Sequence, residues 1–161
     1  MKDLLEKISS YNIFNYLFPG VVFVVFAHNF TKYNLIQSDI LTGVFVYYFI
    51  GLVISRIGSL IIVPILKSIK FLKFADYKLF VQKSKVDEKI DLFSETSNMY
   101  RTICSIFVTL GIIKLYEWLS TMYPFLDLYK IGIISLFLFI LFLFSYRKQS
   151  NFITKRIEAN Q

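Results

Sequence analysis

The 161-residue chain contains one cysteine, one histidine, three prolines and six glycines. A single cysteine, Cys104, excludes an internal disulfide framework, and its apolar flanks give it the reading of a small packing side chain. One cysteine and one histidine cannot build a His/Cys zinc site. No Gly-rich phosphate loop is present, and no nucleophile elbow sets a serine beside a base. An intramembrane aspartyl protease needs two embedded aspartates, yet Asp39 and Asp127 fall at the ends of apolar segments. No catalytic residue, metal ligand or cofactor is assigned on these grounds, and an enzyme is not expected. Acids are scarce too, 11 against 18 Lys and Arg, which leaves a formal net charge of +7.

Apolar residues, by contrast, are abundant. Hydrophobic residues make up 56% of the chain and aromatics 19%, with a mean hydropathy of +0.58. A soluble domain of this size has too much surface for its volume to bury so much apolar area. Lipid must take up the remainder. Spanning a bilayer as a helix takes about 20 mostly apolar residues. Four segments qualify, at about 13–30, 40–60, 102–122 and 130–146. The first is marginal in length and carries Pro19-Gly20, which predicts a kink. The fourth is Phe- and Leu-rich all round, as exposure to lipid on most sides demands. The N-terminal stretch mixes acids with lysines and has no small-residue cleavage site, so it does not read as a signal peptide.

The cations alternate between the spans. The N-terminus has Lys2 and Lys7, the first loop Lys32, and the loop between spans three and four Lys130. The long segment 67–101 has Lys67, Lys70, Lys73, Lys78, Lys83, Lys85, Lys89 and Arg101, and the tail 147–161 has Arg147, Lys148, Lys155 and Arg156. Every rich segment falls on one side, and the positive-inside rule makes that side cytoplasmic. The expected fold is therefore all-α: a four-transmembrane-helix bundle in the bacterial inner membrane with both termini cytoplasmic. Tyr116, Trp118, Tyr123 and Tyr129 agree as an interfacial belt at the far side, with Pro124 and Asp127 supplying a turn.

The segment 67–101 has no glycine or proline. Lys67, Lys70 and Lys73 recur every three residues with Ile69, Leu72, Leu79 and Phe80 between them, which predicts an amphipathic helix along the inner leaflet. Pro64 would bend the exit from span two into it. A second helix is expected to follow, joined to span three or feeding into it. Lys67, Lys70, Lys73 and Lys78 are the candidate contacts to lipid or to a partner. The interleaved aromatics Phe71, Phe74, Tyr77 and Phe80 raise single-strand nucleic-acid binding as an alternative. The intermixed acids Asp76, Asp87, Glu88, Asp91 and Glu95 weigh against it.

Charges inside a membrane are costly, so Arg56, Lys114 and Glu117 are candidates for a polar seam lining a pore or subunit interface, with snorkelling as the plainer reading. Lys114 and Glu117 stand three apart on one helical face and are expected to pair. Glu117 lies about 22 Å above the inner boundary, whereas Arg56 lies near that boundary, so no salt bridge joins these two. Arg56 is expected to meet inner-leaflet phosphates, backbone carbonyls or the cytoplasmic segment, with Glu95 as one partner. Small residues Gly43, Gly51, Ser55, Gly58 and Ser59 mark span two. Gly51, Ser55 and Ser59 form a small-xxx-small face for close helix packing. Asn12, Asn15 and His28 are possible interhelical hydrogen-bonding groups.

The stretches SSYNIFNYLFPGVVF, YYFIGLVISRIGSL, FADYKLF and SETSNMYRT, taken together, resemble small uncharacterised four-span bacterial membrane proteins associated with antiphage defence loci. The layout is similar to the membrane accessory of type VI-B CRISPR systems and to the membrane subunit of the Kiwa system. The resemblance implies a non-enzymatic homo-oligomer that works with a cytosolic protein partner. A small ion channel and a housekeeping membrane scaffold are the competing expectations.

Overall fold

The structure, a computed structural model, describes residues 13–159, the side chain of Phe14 excepted. Lys2, Lys7, Asn12 and Gln161 lie outside the described residues. Every regular element within them is helical. A π-helical turn at Ile13–Leu17 leads into α1 (Phe18–Phe30). Helix α2 (Ile40–Ile57) runs through a second π-turn, Gly58–Ile62, into α3 (Val63–Ser68). Helices α4 (Tyr77–Ser84), α5 (Lys89–Met122), α6 (Phe125–Leu128) and α7 (Lys130–Glu158) follow. Three helical stretches, Ile40–Ser68, Lys89–Met122 and Lys130–Glu158, are long and apolar enough to cross a membrane, and Asn15–Phe30 is a shorter apolar helix.

Both π-turns end two residues before a proline, Pro19 in the first case and Pro64 in the second. A proline ring collides with the carbonyl four residues back and cannot donate to it. Widening the turn so that each N–H reaches five residues back moves that carbonyl aside, and Val63 indeed donates to Gly58 O. The helix thus passes Pro64 through a π-bulge, and α2 continues into α3.

The core lies where α1, α2 and α5 meet: Phe23, Val24 and Ala27 from α1, Ile54 from α2, and Ile106 and Leu110 from α5. Glycine sets how closely α1 and α2 approach. A Cβ on Gly20 would overlap the Tyr47 carbonyl, and one on Gly51 would overlap the Tyr16 carbonyl. Backbone rests on backbone at this crossing, the mode of association open to helices that lie in lipid. Helix α7 is covered least, with only 11% of its apolar window buried; it touches α2 through stacked Phe49 and Phe142, 5.9 Å apart.

The segment after α3 departs from expectation. Lys67, Lys70 and Lys73 do not share one amphipathic helix, because the helix stops at Ser68 and resumes only at Tyr77. Lys70 takes a left-handed conformation, φ 60°. Its N–H donates to Lys67 O at 3.0 Å while that of Phe71 donates to Leu66 O at 2.9 Å. This is a Schellman cap with lysine where glycine is usual, so the stop carries no glycine signal. Asp76 then caps α4, accepting from the N–H groups of Lys78 and Leu79. Asp39 caps α2 in the same way through Thr42, and these hydrogen bonds hold its carboxyl below the ordinary aspartate range.

Cys104 is exposed on α5 and not a packing residue. Residues 89–101 feed directly into the third apolar segment as one helix, and residues 147–158 likewise prolong α7. Tyr77 of α4 packs against Phe152 of α7, 5.8 Å between ring centroids. Val81 and Ser84 of α4 are buried.

Candidate functional site

Two polar clusters occupy opposite ends of the bundle. The first lies where the 31–39 and 123–129 loops meet. Glu117, 9% exposed, accepts from the backbone N–H of Lys32 at 2.6 Å and from Lys114 Nζ at 2.7 Å. The Lys32 ammonium reaches Asp127 at 3.4 Å, and Tyr116 donates its hydroxyl to Leu126 O at 2.8 Å. Glu117 thereby ties the α1–α2 loop to α5. Lys114 is 57% exposed and extends outward, its carboxylate partner one helical turn away.

The second cluster is basic and gathers around the junction of α2 with the second π-turn. Arg56 Nη2 donates to the Tyr16 hydroxyl at 3.1 Å. Arg101 of α5 donates through Nη2 to Ser55 Oγ at 3.5 Å and through Nη1 to Asn98 Oδ1 at 2.8 Å. Lys148 of α7 donates to Ser59 O at 2.7 Å and to Ser59 Oγ at 2.6 Å. Lys148 lies within Coulombic range of Arg101, Arg56 and Lys67, and the Lys67 ammonium sits 4.5 Å above the Phe74 ring. Gly58 makes room for this gathering. A Cβ there would overlap Ser105 Oγ and come within 3.2 Å of Arg101 Cγ.

The proline explains why Lys148 goes where it does. The π-turn pattern calls for residue 64 to donate to the carbonyl of Ser59, and Pro64 has no N–H to give. A buried carbonyl left without a donor is costly. The Lys148 ammonium fills that vacancy and takes the Ser59 hydroxyl as a second acceptor.

Arg56, Lys114 and Glu117 thus belong to two clusters and do not line one continuous seam. Arg56 stands 16 residues beyond Ile40, about 24 Å along the helix, at the end away from Glu117. Gly51, Ser55 and Ser59 lie along one side of α2 and its π-turn. Gly51 meets the chain at Tyr16, Ser55 meets Arg101, and Ser59 meets Lys148. Lys70, Lys73 and Lys78 are exposed and stand apart from the basic cluster, while Lys67 borders it. His28 is exposed. Sequence reasoning missed Lys32, Arg101 and Lys148 as site residues. Pro64 in an otherwise helical run was the available signal for Lys148, since it implies an orphaned carbonyl that some donor must serve.

No protein-family model, curated protein or solved structure matches the chain. The chemistry of these clusters rests on their geometry. Among the described residues no three His, Cys, Asp or Glu side chains gather as a metal set. The basic cluster presents cations from α2, α5 and α7 at one end of the bundle, and among the described residues none of Arg56, Lys67 and Lys148 has a carboxylate within salt-bridge distance. Its excess positive potential suits an anion.

Proposed function

We propose that this chain is a non-enzymatic, oligomeric inner-membrane component of a bacterial antiphage defence system. It crosses the bilayer four times with both termini cytoplasmic, and acts with a cytosolic protein partner to perturb the membrane or hold that partner against it. The observation that carries the reading is the length of α5 and α7. At 34 and 29 residues they measure about 51 and 44 Å, against about 30 Å of hydrocarbon. Each passes without a break from an apolar stretch into a charged one. Helix α4 touches α5 and packs on the α7 extension through Tyr77 and Phe152, so it links the two helices. A partner that displaces α4 or the 89–101 extension moves spans three and four as rigid rods. The sparsely covered Phe/Leu surface of α7 is available to lipid or to a second copy.

Alternation of Lys and Arg supports the cytoplasmic placement of residues 67–101 and of the tail. The Lys32–Asp127 contact is consistent with it, since it puts the two cation-poor loops at one end. A channel along Arg56, Lys114 and Glu117 draws less support, because those side chains are divided between two ends.

The test is a phage plating assay on cells carrying the chain with its native genomic neighbours. Deletion of the chain is expected to remove protection. Thr96→Pro, which breaks the α5 extension, should abolish protection while the protein still pellets with membranes. Plating that does not change on deletion would defeat the defence reading, and full protection by Thr96→Pro would defeat the lever.

A further inference from the structure

We infer that the basic cluster is a binding site for an anionic phospholipid of the inner leaflet, with the phosphate held by Arg56 and Lys148 and an acyl chain lying between α2 and α7. Three observations converge on it.

The cations come from three different helices. Arg56, Arg101 and Lys148 are each only partly exposed, yet Lys148 lies within reach of the fields of Arg101, Arg56 and Lys67. Like charges drawn together repel, and the cost grows as water is withdrawn. The bundle nevertheless holds them there, with the Tyr16 hydroxyl orienting Arg56 and Ser59 orienting Lys148. The Tyr16 hydroxyl holds the Arg56 guanidinium in place through Nη2, and an arginine fork held in place is suited to a phosphate oxygen.

The second observation is a groove. Leu60, Ile61, Leu141 and Phe144, joined by Phe137 and Ile140, line an apolar channel between the second π-turn and α7. Its lining begins one residue from Ser59 and one helical turn from Lys148, which places it beside the cations. A soluble anion has no use for it, whereas a phospholipid carries an apolar tail attached to its phosphate.

The third is depth. Counted from Ile40, Ser59 lies about 28 Å along the helix, at the far boundary of a hydrocarbon layer about 30 Å thick. Basic pockets between membrane helices at this level bind anionic head groups. The inference rests on the membrane location proposed above and is independent of the defence role. In function, the lipid would brace α2 and α7 at the base of the two helical extensions.

The full-length protein, purified in a neutral detergent, is titrated with phosphatidylglycerol and with phosphatidylethanolamine, and lipid retention is read by native mass spectrometry. The wild type is expected to retain phosphatidylglycerol roughly tenfold better, the size of one charge-assisted contact. Arg56→Gln and Lys148→Gln should each bring that ratio close to one, while Lys130→Gln at the opposite end should leave it unchanged. Helix content and a monodisperse elution certify each variant. If Lys148→Gln fails that check, Arg56→Gln carries the test, since it leaves the Lys148–Ser59 bonds in place. Equal retention of the two lipids by the wild type overturns the inference, as does preference that survives Arg56→Gln. Displacement of phosphatidylglycerol by millimolar inorganic phosphate overturns it in favour of a soluble anion. Membrane pelleting of the chain from cells is measured in parallel. A chain that does not pellet sinks the membrane reading; a chain that pellets but shows no lipid selectivity sinks this site alone.

Discussion

Replacing Lys148 by methionine tests whether a lysine does the work of a missing backbone N–H. Lys148 Nζ makes two short bonds, 2.7 Å to Ser59 O and 2.6 Å to Ser59 Oγ. Hydrogen bonds to a charged group contribute about 1.5–3 kcal/mol, and a buried acceptor stranded without one costs about 1–3 kcal/mol. Removing the ammonium also relieves its repulsion with Arg56 and Arg101, an opposing effect, so the single variant is expected to lose only about 1–2 kcal/mol. A double-mutant cycle with Pro64→Ala removes the ambiguity. Alanine restores the N–H at position 64, letting the helix serve its own carbonyl, while the relief of repulsion is the same in both backgrounds and cancels. Lys148→Met should therefore cost at least about 1 kcal/mol less in the Pro64→Ala protein than in the wild type. The readout is reversible unfolding in mixed micelles followed by circular dichroism. Effects that add within about 0.5 kcal/mol would show that Lys148 and Pro64 are not coupled, and the reasoning about the π-turn would fall.

Gly51→Ala should destabilise the bundle by about 1–3 kcal/mol, because its methyl meets the Tyr16 carbonyl. Gly111→Ala, with nothing within 4 Å of the new Cβ, should be neutral or stabilise by up to about 1 kcal/mol; the same unfolding assay compares them, and equal effects would contradict the described α1–α2 crossing. Lys70→Gly should stabilise by about 1 kcal/mol by relieving the left-handed strain at the Schellman cap, whereas a helix running through residues 67–80 would be weakened by the same glycine.

Hydropathy periodicity and charge made the helical class and the apolar segments legible, because each depends only on local composition. The Lys114–Glu117 pair followed from its spacing of three on one face. Helix ends were harder. Lys70 caps a helix in a conformation that lysine rarely takes, so the pattern of Lys67, Lys70 and Lys73 looked like one continuous amphipathic face. Pro64 announced a bend but not the π-bulge that carries the helix past it, and the carbonyl it left open is served from 89 residues away in sequence. Arg101, Lys148 and Lys32 entered the clusters through tertiary contacts between residues 46 to 89 apart in sequence. Counting residues along each helix still separated Arg56 from Glu117, since about 1.5 Å per residue suffices for depth along a straight helix. Contacts between helices have no such ruler.

Sidedness is the claim on which the proposed mechanism turns, and cysteine accessibility measures it directly. In a Cys104→Ser background, single cysteines replace Ser38 in the loop between α1 and α2, and Lys85 just after α4. Cells are treated with a membrane-impermeant maleimide before or after lysis. Labelling of position 38 in intact cells, with position 85 labelled only after lysis, is the predicted result. Labelling of position 85 in intact cells would contradict the threading and, with it, both the cytosolic partner and the inner-leaflet lipid site.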